Sequence, residues 1–492
     1  MDRSDPMSPA AFLASSEDRG RHDVPSFVLL DTRSYIAGRA NASTATSKTS
    51  NDLPIQVTFC AVPPPDLSYL FVHCPGLEVE PTDLILAPRV ISTDADLILL
   101  RVHRDPMARM FPSRSDYFVY KINPHQSRLD LLPNPYPDRF NDNELAILSC
   151  GDRYVVATLQ IMPLRSFMLH LYRSGRDGKP GSWISQQVFV EEPQRDRVCP
   201  IPKSAQSLMY HQTTKVITLG GGKGTVGWVD LWRGILLCDV LDDSPKLHDI
   251  PLPLPAKGNW DKFLNECPYY CRDITVSQSK DTIKYVEMEI TQPTKVTSAD
   301  STSDVVDSYY EWLSRQERPC SYWVPGRWKA TTWSMAIPIT SWVPGSWHRQ
   351  CTICSEDIDL PAVNTKHYEL LSKLMSSSDN KGKVTEATLS LGCLHMAYPT
   401  LSVADDDDVV YFLSKGTSIR SVQMGVAVDM RTGTLQGVAK LDTKRHFGFL
   451  RCCLASGISQ HLKATGICGN QQVEGRGKLQ YDDVSTITAA SA

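Results

Sequence analysis

The sequence predicts an all-β fold, a propeller-like array of short antiparallel blades with a few short helices in loops. Three observations predict it. Short apolar runs recur along the chain, bounded by Gly, Pro, Asp and Asn. No stretch holds the i, i+3, i+4 spacing of an amphipathic helix over a useful length, so the helices that must cover a parallel sheet are missing. One unit also returns several times: an apolar strand, a turn rich in Gly, Pro, Asp or Asn, and a second strand.

Residues 1–24 carry Asp2, Asp5, Glu17, Asp18 and Asp23 with no continuous apolar core, which predicts a disordered N-terminus without a secretory signal. From Pro25 the chain alternates between extended segments and turns. Strands are expected at 26–31, 55–61, 68–74 and 95–103, with a Ser/Thr/Asn loop at 41–52 and a break at Pro63, Pro64 and Pro65. The repeated unit then appears as 116–122 with 128–132, 167–172 with 183–190, and 234–240 with 247–252. A looser copy pairs 330–337 with 347–353, and the last pairs 424–430 with 435–441. The first three copies start roughly 50 to 70 residues apart, near the period of a propeller blade, and the two later gaps are wider. Further strands fill the spaces at 145–148, 154–160, 215–219, 283–289, 389–395 and 409–413. Residues 294–307 read as an exposed loop insertion, 309–315 and 367–375 as short helices, and 463–492 as a disordered tail. One β domain over 25–462 results, with its central signature at about 220–360.

Composition narrows the function. With 492 residues, 41% hydrophobic and 22% charged, the chain is an ordinary globular protein. A net charge of −4 gives no footprint for nucleic acid or an anionic membrane. No apolar run is long enough to span a bilayer. Fourteen cysteines without a secretory leader are expected as free thiols inside the cell, in cytoplasm or nucleus.

The glycine run Gly220, Gly221, Gly222, Lys223, Gly224 looks at first like a phosphate loop, and Gly222, Gly224 and Gly227 match the dinucleotide spacing. That chemistry needs a helix N-terminus after the loop. Residues 228–240 instead read as one strand, and Gly224 stands where a Walker loop needs Ser or Thr. A turn between strands is the reading adopted. Ser378, Asp379 and Asn380 overlap Ser378-x-x-Lys381 in one polar run, so they cannot converge on a penicillin-type pocket. Cys351-x-x-Cys354 and Cys267-x-x-x-Cys271 lack the histidine pairs of a zinc site. Asp405 to Asp408 read as a solvated turn, lacking the alternation of a calcium loop. No cofactor and no catalytic motif is expected.

Five tryptophans fall between Trp323 and Trp347, in two near-identical hexapeptides, Trp-Val-Pro-Gly-Arg-Trp (323–328) and Trp-Val-Pro-Gly-Ser-Trp (342–347). Trp323, Trp328, Trp342 and Trp347 are the candidate partner-binding residues, because aromatic turns suit peptide recognition. Plugs in the packing between blades are the competing reading.

The run Gly224-Thr-Val-Gly-Trp-Val-Asp-Leu-Trp-Arg-Gly-Ile-Leu-Leu-Cys-Asp-Val-Leu resembles the plant family, expanded in grasses, catalogued as domain of unknown function sixteen-eighteen. Asp249-Ile-Pro-Leu-Pro, Arg272-Asp-Ile-Thr-Val and Trp328-Lys-Ala-Thr-Thr-Trp-Ser carry the likeness onward, and flanking motifs extend it over most of 25–462. The Trp-Arg-Gly-Ile-Leu-Leu strand is also similar to plant F-box-associated, kelch-type propellers, although no F-box-like helical region precedes it. The resemblance implies an intracellular plant protein with no assigned activity, cofactor or catalytic residue. The expected function is a non-enzymatic scaffold for a protein or peptide, with no nucleic acid and no membrane. The alternative is a hydrolase using carboxylates such as Asp230 and Asp273 in a central funnel.

Overall fold

A computed structural model of the chain describes residues 25–76, 86–105, 114–123, 125–133, 141–175, 181–291, 294–297, 321–324, 327–339, 343, 345–358, 367, 369–372, 395–415, 423–441 and 453–465. Six sheets stand around one axis as the blades of a β-propeller. Blade one holds β1 (Val28–Asp31), β2 (Tyr35–Ile36), β3 (Ala45–Lys48), β4 (Pro54–Cys60) and β5 (Leu67–His73). Blade two runs β6 (Arg89–Asp94), β7 (Leu97–His103), β8 (Ser115–Lys121), β9 (Arg128–Leu132). Blade three runs β10 (Leu145–Cys150), β11 (Arg153–Ile161), β12 (Ser166–Arg173), β13 (Ser182–Phe189). Blade four runs β14 (Lys215–Gly220), β15 (Thr225–Asp230), β16 (Gly234–Asp239), β17 (Leu247–Pro251). Blade five uses β18 (Arg272–Val276), β19 (Thr282–Thr291), β22 (Arg327–Ala336) and β23 (His348–Cys354), with the hairpin β20 (Thr294–Thr297) and β21 (Ser321–Val324) between its second and third strands. Blade six runs β24 (His395–Leu401), β25 (Val409–Lys415), β26 (Gln423–Asp429), β27 (Thr434–Lys440).

The ring closes through blade one. There β28 (Cys453–Ser456) pairs antiparallel with β1, Val28 opposite Ser456 and Asp31 opposite Cys453, and β1 continues parallel to β5. Closure leaves edge strands only at the outer rim.

Strands covered by neighbouring blades on both faces are apolar almost throughout. β7 reads Leu-Ile-Leu-Leu-Arg-Val-His and β16 reads Gly-Ile-Leu-Leu-Cys-Asp, with all but one residue of each buried. Such strands lose the two-residue alternation and become continuous runs. The seams between blades hold the core. Trp228, fully buried, carries its indole N–H to the Glu144 carbonyl at 2.8 Å and so ties blade four to blade three.

All five copies of the repeated unit are the third and fourth strands of blades two to six. Three expectations change. Residues 228–240 are two strands, not one: Leu231, Trp232 and Arg233 make a tight turn, with the Trp232 amide donating to Asp230 Oδ1 at 3.0 Å. The turn escapes notice because Leu231 and Trp232 are themselves buried. The 41–52 loop contains β3, and the 294–307 loop begins with β20, which pairs with β21. Of the strand placed at 389–395, His395 belongs to β24, and 389–394 lie outside the described residues. The helix at 367–375 is present at 367 and 369–372; the rest of it, and 309–315, lie outside the described residues.

The ring has two unlike faces. Links from first to second and from third to fourth strands are short, from the pair Ala95 and Asp96 up to 337–347. Links from one blade's outer strand to the next blade's inner strand are long, among them 190–214, 252–271 and 355–394, and the β20–β21 hairpin issues from the same face.

Candidate functional site

Inner strands enclose an axial cavity of about 300 Å³, lined mainly by Thr, Ser, Lys and Asp side chains with Ile91, Ile147 and Ile217. An ion pair crosses it. Lys280, on the first turn of blade five, places Nζ 2.6 Å from Asp94 Oδ1 of blade two, on the opposite side of the ring. The other Asp94 oxygen accepts the Ser149 amide of blade three at 2.8 Å. Gln278 on the same turn donates to the Ser26 carbonyl, and Ser279 donates to Asp405. One turn therefore pins three other parts of the ring.

Asp230 and Asp273, named from sequence as possible funnel carboxylates, do not line this cavity. Asp230 is buried and accepts the amides of Gln212 and Trp232; burial raises its pKa. Asp273 is bonded to Lys215 Nζ at 2.7 Å and to the Leu401 amide at 3.2 Å, which fastens blades four, five and six together. Both carboxylates are committed to structure, and this corrects the funnel expectation for these two residues.

Three arginines with no exposed surface occupy the seams around blade four. Arg195 bonds Asp249 through Nε at 2.6 Å and reaches His211 Nδ1 through Nη1 at 2.8 Å, while Tyr210 donates to the same aspartate. His211 must accept on Nδ1 and donate from Nε2 to Thr213, so it is the neutral tautomer. Burial, then the charges of Arg195 and Arg233, hold its pKa well below 6.5. Arg233 donates to the Tyr210 and Cys199 carbonyls and to Asp196. Arg272 lies 4.6 Å over Trp232, donates to the Leu231 and Trp232 carbonyls, and pairs with Glu287 at 2.8 Å. The Trp-Arg-Gly motif thus supplies a buried Arg and its neighbour's stacking ring. This network has no visible sequence signal, since the partners come from five separate segments.

The glycine run turns β14 into β15. Gly220, Gly221 and Gly224 have φ of +73°, +74° and +64°, values that an L side chain meets only with strain. Lys223 lies at the tip, 69% exposed, facing Asp239 and Asp242 at 3.5 and 3.9 Å.

The tryptophans divide. Trp328 is 3% exposed and packs on Phe412 with ring centroids 5.2 Å apart. Its side chain fills the seam between blades five and six, which corrects its assignment as a contact residue. Trp347 is half-buried against Tyr285 and Trp333's neighbourhood and donates to the Pro251 carbonyl at 2.9 Å. Trp342, and the side chain of Trp323, lie outside what is described. The two hexapeptides flank opposite ends of the ten-residue strand β22, so they do not form one aromatic surface.

Sequence reading missed the exposed apolar residues of the long-loop face. Leu208 is 74% exposed, Trp260 61%, Leu254 60% and Met209 46%. They sit on the 190–214 and 252–271 links, which meet where the Gln206 amide donates to Asn265 Oδ1 at 3.1 Å. No periodicity marks a loop residue, so only burial reveals them.

Fold and site together define a six-bladed β-propeller with an ion-paired axis and an apolar loop face. Residues 228–411 match the family described as "Protein of unknown function (DUF1618)". No curated protein matches the chain. Among solved structures it is similar to the WD40 domain of SCAP from fission yeast, at 10% identity and a TM-score of 0.30, covering 86% of this chain and 90% of that one. It is also similar to an ancestral GH74 enzyme, at 8% identity and a TM-score of 0.27, covering 85% and 39%. A Synechocystis apocarotenoid oxygenase mutant matches at 10% identity and a TM-score of 0.23, covering 88% and 96%.

Proposed function

We propose that this propeller is a non-enzymatic scaffold that binds a protein or peptide on its long-loop face. The observation that carries the reading is the group Leu208, Met209, Leu254 and Trp260, exposed on two long links that are bonded to each other. Four large apolar side chains on adjoining loops form the kind of patch that a partner covers. The β20–β21 hairpin, which carries Trp323, is rooted on the same face beside the 252–271 link, so Trp323 stays within the proposed surface. Trp342 belongs to the 337–347 link, which the topology puts on the opposite face, so it drops out of this surface. The family resemblance supports a plant protein working inside the cell, in cytoplasm or nucleus, with the kelch-type likeness its distant counterpart. Among the described residues no helix is long and apolar enough to cross a membrane.

The test is affinity capture from a cell extract with the full chain and with Leu208→Ser/Trp260→Ser. Both residues are exposed, so the variant should melt with the parent while losing the captured partner. An identical captured set from a folded variant would sink the reading.

A further inference from the structure

The outer rim of blade three differs from that of every other blade. Its last strand, β13, reads Ser-Trp-Ile-Ser-Gln-Gln-Val-Phe, eight residues without a charge or a proline. The corresponding strands elsewhere all carry one or the other. β9 contains Arg128 and Asp130, β17 ends in Pro251, β23 contains Arg349, β27 ends in Lys440, and β3 ends in Lys48. Edge strands in soluble proteins are ordinarily blunted by such residues, because a bare edge offers its free N–H and C=O groups to another chain. β13 pairs with β12 over its whole length; past its end Val190 bridges to Leu247 of β17, and among the described residues no strand pairs with the other side of 182–189. Five of its eight residues are exposed, including Ile184 at 43% and Phe189 at 58%.

We infer that β13 is the contact by which two copies of this chain pair, strand to strand and antiparallel about a two-fold axis at Gln186. The sequence argues for a second copy over an unrelated strand. A two-fold axis perpendicular to the sheet keeps each face on its own side, so residues pair about a centre that is itself a residue. Centred on Gln186, Trp183 faces Phe189, Ile184 faces Val188, Ser185 faces Gln187, and Gln186 faces its own copy. Every pair then joins like with like: aromatic with aromatic, β-branched with β-branched, amide with hydroxyl or amide. Such cross-strand pairs contribute about 0.2–1 kcal/mol each, whereas like charges directly opposite are destabilising. A charged strand could not meet itself this way, and the absence of charge on β13 alone among the outer strands is what self-pairing requires. The overlap of residues 183–189 spans about 23 Å at roughly 3.3 Å per residue. Trp183 is already placed for it. Its indole N–H is bonded to the Pro133 carbonyl at 2.8 Å and its ring lies on Tyr172, which fixes its orientation at the edge.

The experiment is sedimentation of the full-length protein over a concentration series. The parent should move from the 54.9 kDa of one chain toward twice that mass. Gln186→Lys puts two ammonium groups face to face at the axis and should remain a monomer at concentrations where the parent is dimeric, with an unchanged melting temperature. Phe189→Ser removes only an exposed ring and gives a second, gentler reading of the same interface should the lysine variant fold poorly. Gln436→Lys, on the outer strand of blade six, is the control and should dimerise like the parent. A parent that stays monomeric throughout overturns the inference. So does a dimer that survives both β13 substitutions.

Discussion

Arg272 is the most severe test of how the seams are built. It has no exposed surface, and Glu287 opposite it is 2% exposed. The guanidinium makes two bonds to Glu287 Oε1, at 2.8 and 3.2 Å, and two to the carbonyls of Leu231 and Trp232, at 2.9 and 3.1 Å. It therefore bridges the second turn of blade four to the first two strands of blade five. Arg272→Met leaves Glu287 as a buried charge without its counter-ion, and removing one partner of a buried pair costs about 3–5 kcal/mol. Unfolding entropy of about 2.1 cal/mol/K per residue, over a body running from Val24 to Thr465, gives about 0.9 kcal/mol/K, or about 1 °C for each kcal/mol. The single variant should then melt about 3–5 °C below the parent by calorimetry. In Arg272→Met/Glu287→Met the two carbonyls lose their partner just as in the single variant, and the Asn259 and Ala256 N–H groups lose theirs as well, but no charge is left buried, and replacing a whole buried pair by apolar side chains is often close to neutral. The double variant should thus be the more stable of the two. The reasoning fails if the single variant melts within about 1 °C of the parent. It fails equally if the double variant melts below the single one.

Gly224→Ala should cost about 1–3 kcal/mol more than Gly221→Ala in urea titration. Both have positive φ, but a Cβ on Gly224 would sit 2.7 Å from Leu241 and 2.8 Å from Leu148, whereas nothing lies within 4 Å of Gly221. Trp328→Ala should lose about 3–5 kcal/mol as a buried-ring deletion. Trp260→Ala, on a 61% exposed ring, should stay within about 0.5 kcal/mol in the same titration. The pH dependence follows from His211, whose folded pKa lies below its ordinary 6.5. Below that value the unfolded chain takes up a proton that the folded chain refuses, so stability should fall with acid by up to about 1.4 kcal/mol per pH unit. His211→Gln should flatten that slope.

The sequence carried the fold because the third and fourth strands of each blade announce themselves. Met424, Val426 and Val428 alternate with smaller or polar neighbours, and Arg431 with Gly433 closes the turn before Leu435. Where both sides of a turn are buried, the signal vanishes. Leu231 and Trp232 are as apolar as the strands they join, and only the Asp230 carboxylate bonded to the Trp232 amide gives the reversal away. β3 failed for the opposite reason: Ala-Thr-Ser-Lys at an outer edge has only Ala45 buried beyond doubt, so composition reads as loop. The candidate site was less legible. Tryptophan density drew attention to 323–347, yet Trp328 is there to fill a seam. The exposed Leu208, Met209, Leu254 and Trp260 sit in loops with no pattern to mark them. Likewise, Lys280 and Asp94 are 186 positions apart, and nothing local connects them.

Blade five shows why loops, not blades, are where this fold can specialise. β19 and β22 stay paired through ten consecutive positions, from Thr282 opposite Ala336 to Thr291 opposite Arg327. A long segment with its own hairpin separates them in the chain, yet the register carries no shift. Loop closure costs only about 0.6 kcal/mol for each doubling of length, so the blade tolerates the insertion with little penalty. The inner strands have no such freedom. Each is covered on two faces, and the first turn of blade five must keep Lys280 on Asp94, Gln278 on Ser26 and Ser279 on Asp405 at once. A change there would loosen several blades together, whereas a change at the exposed Leu208 or Trp260 alters one surface and leaves the ring intact. Recognition by this protein is therefore expected to reside on the face that the ring does not constrain.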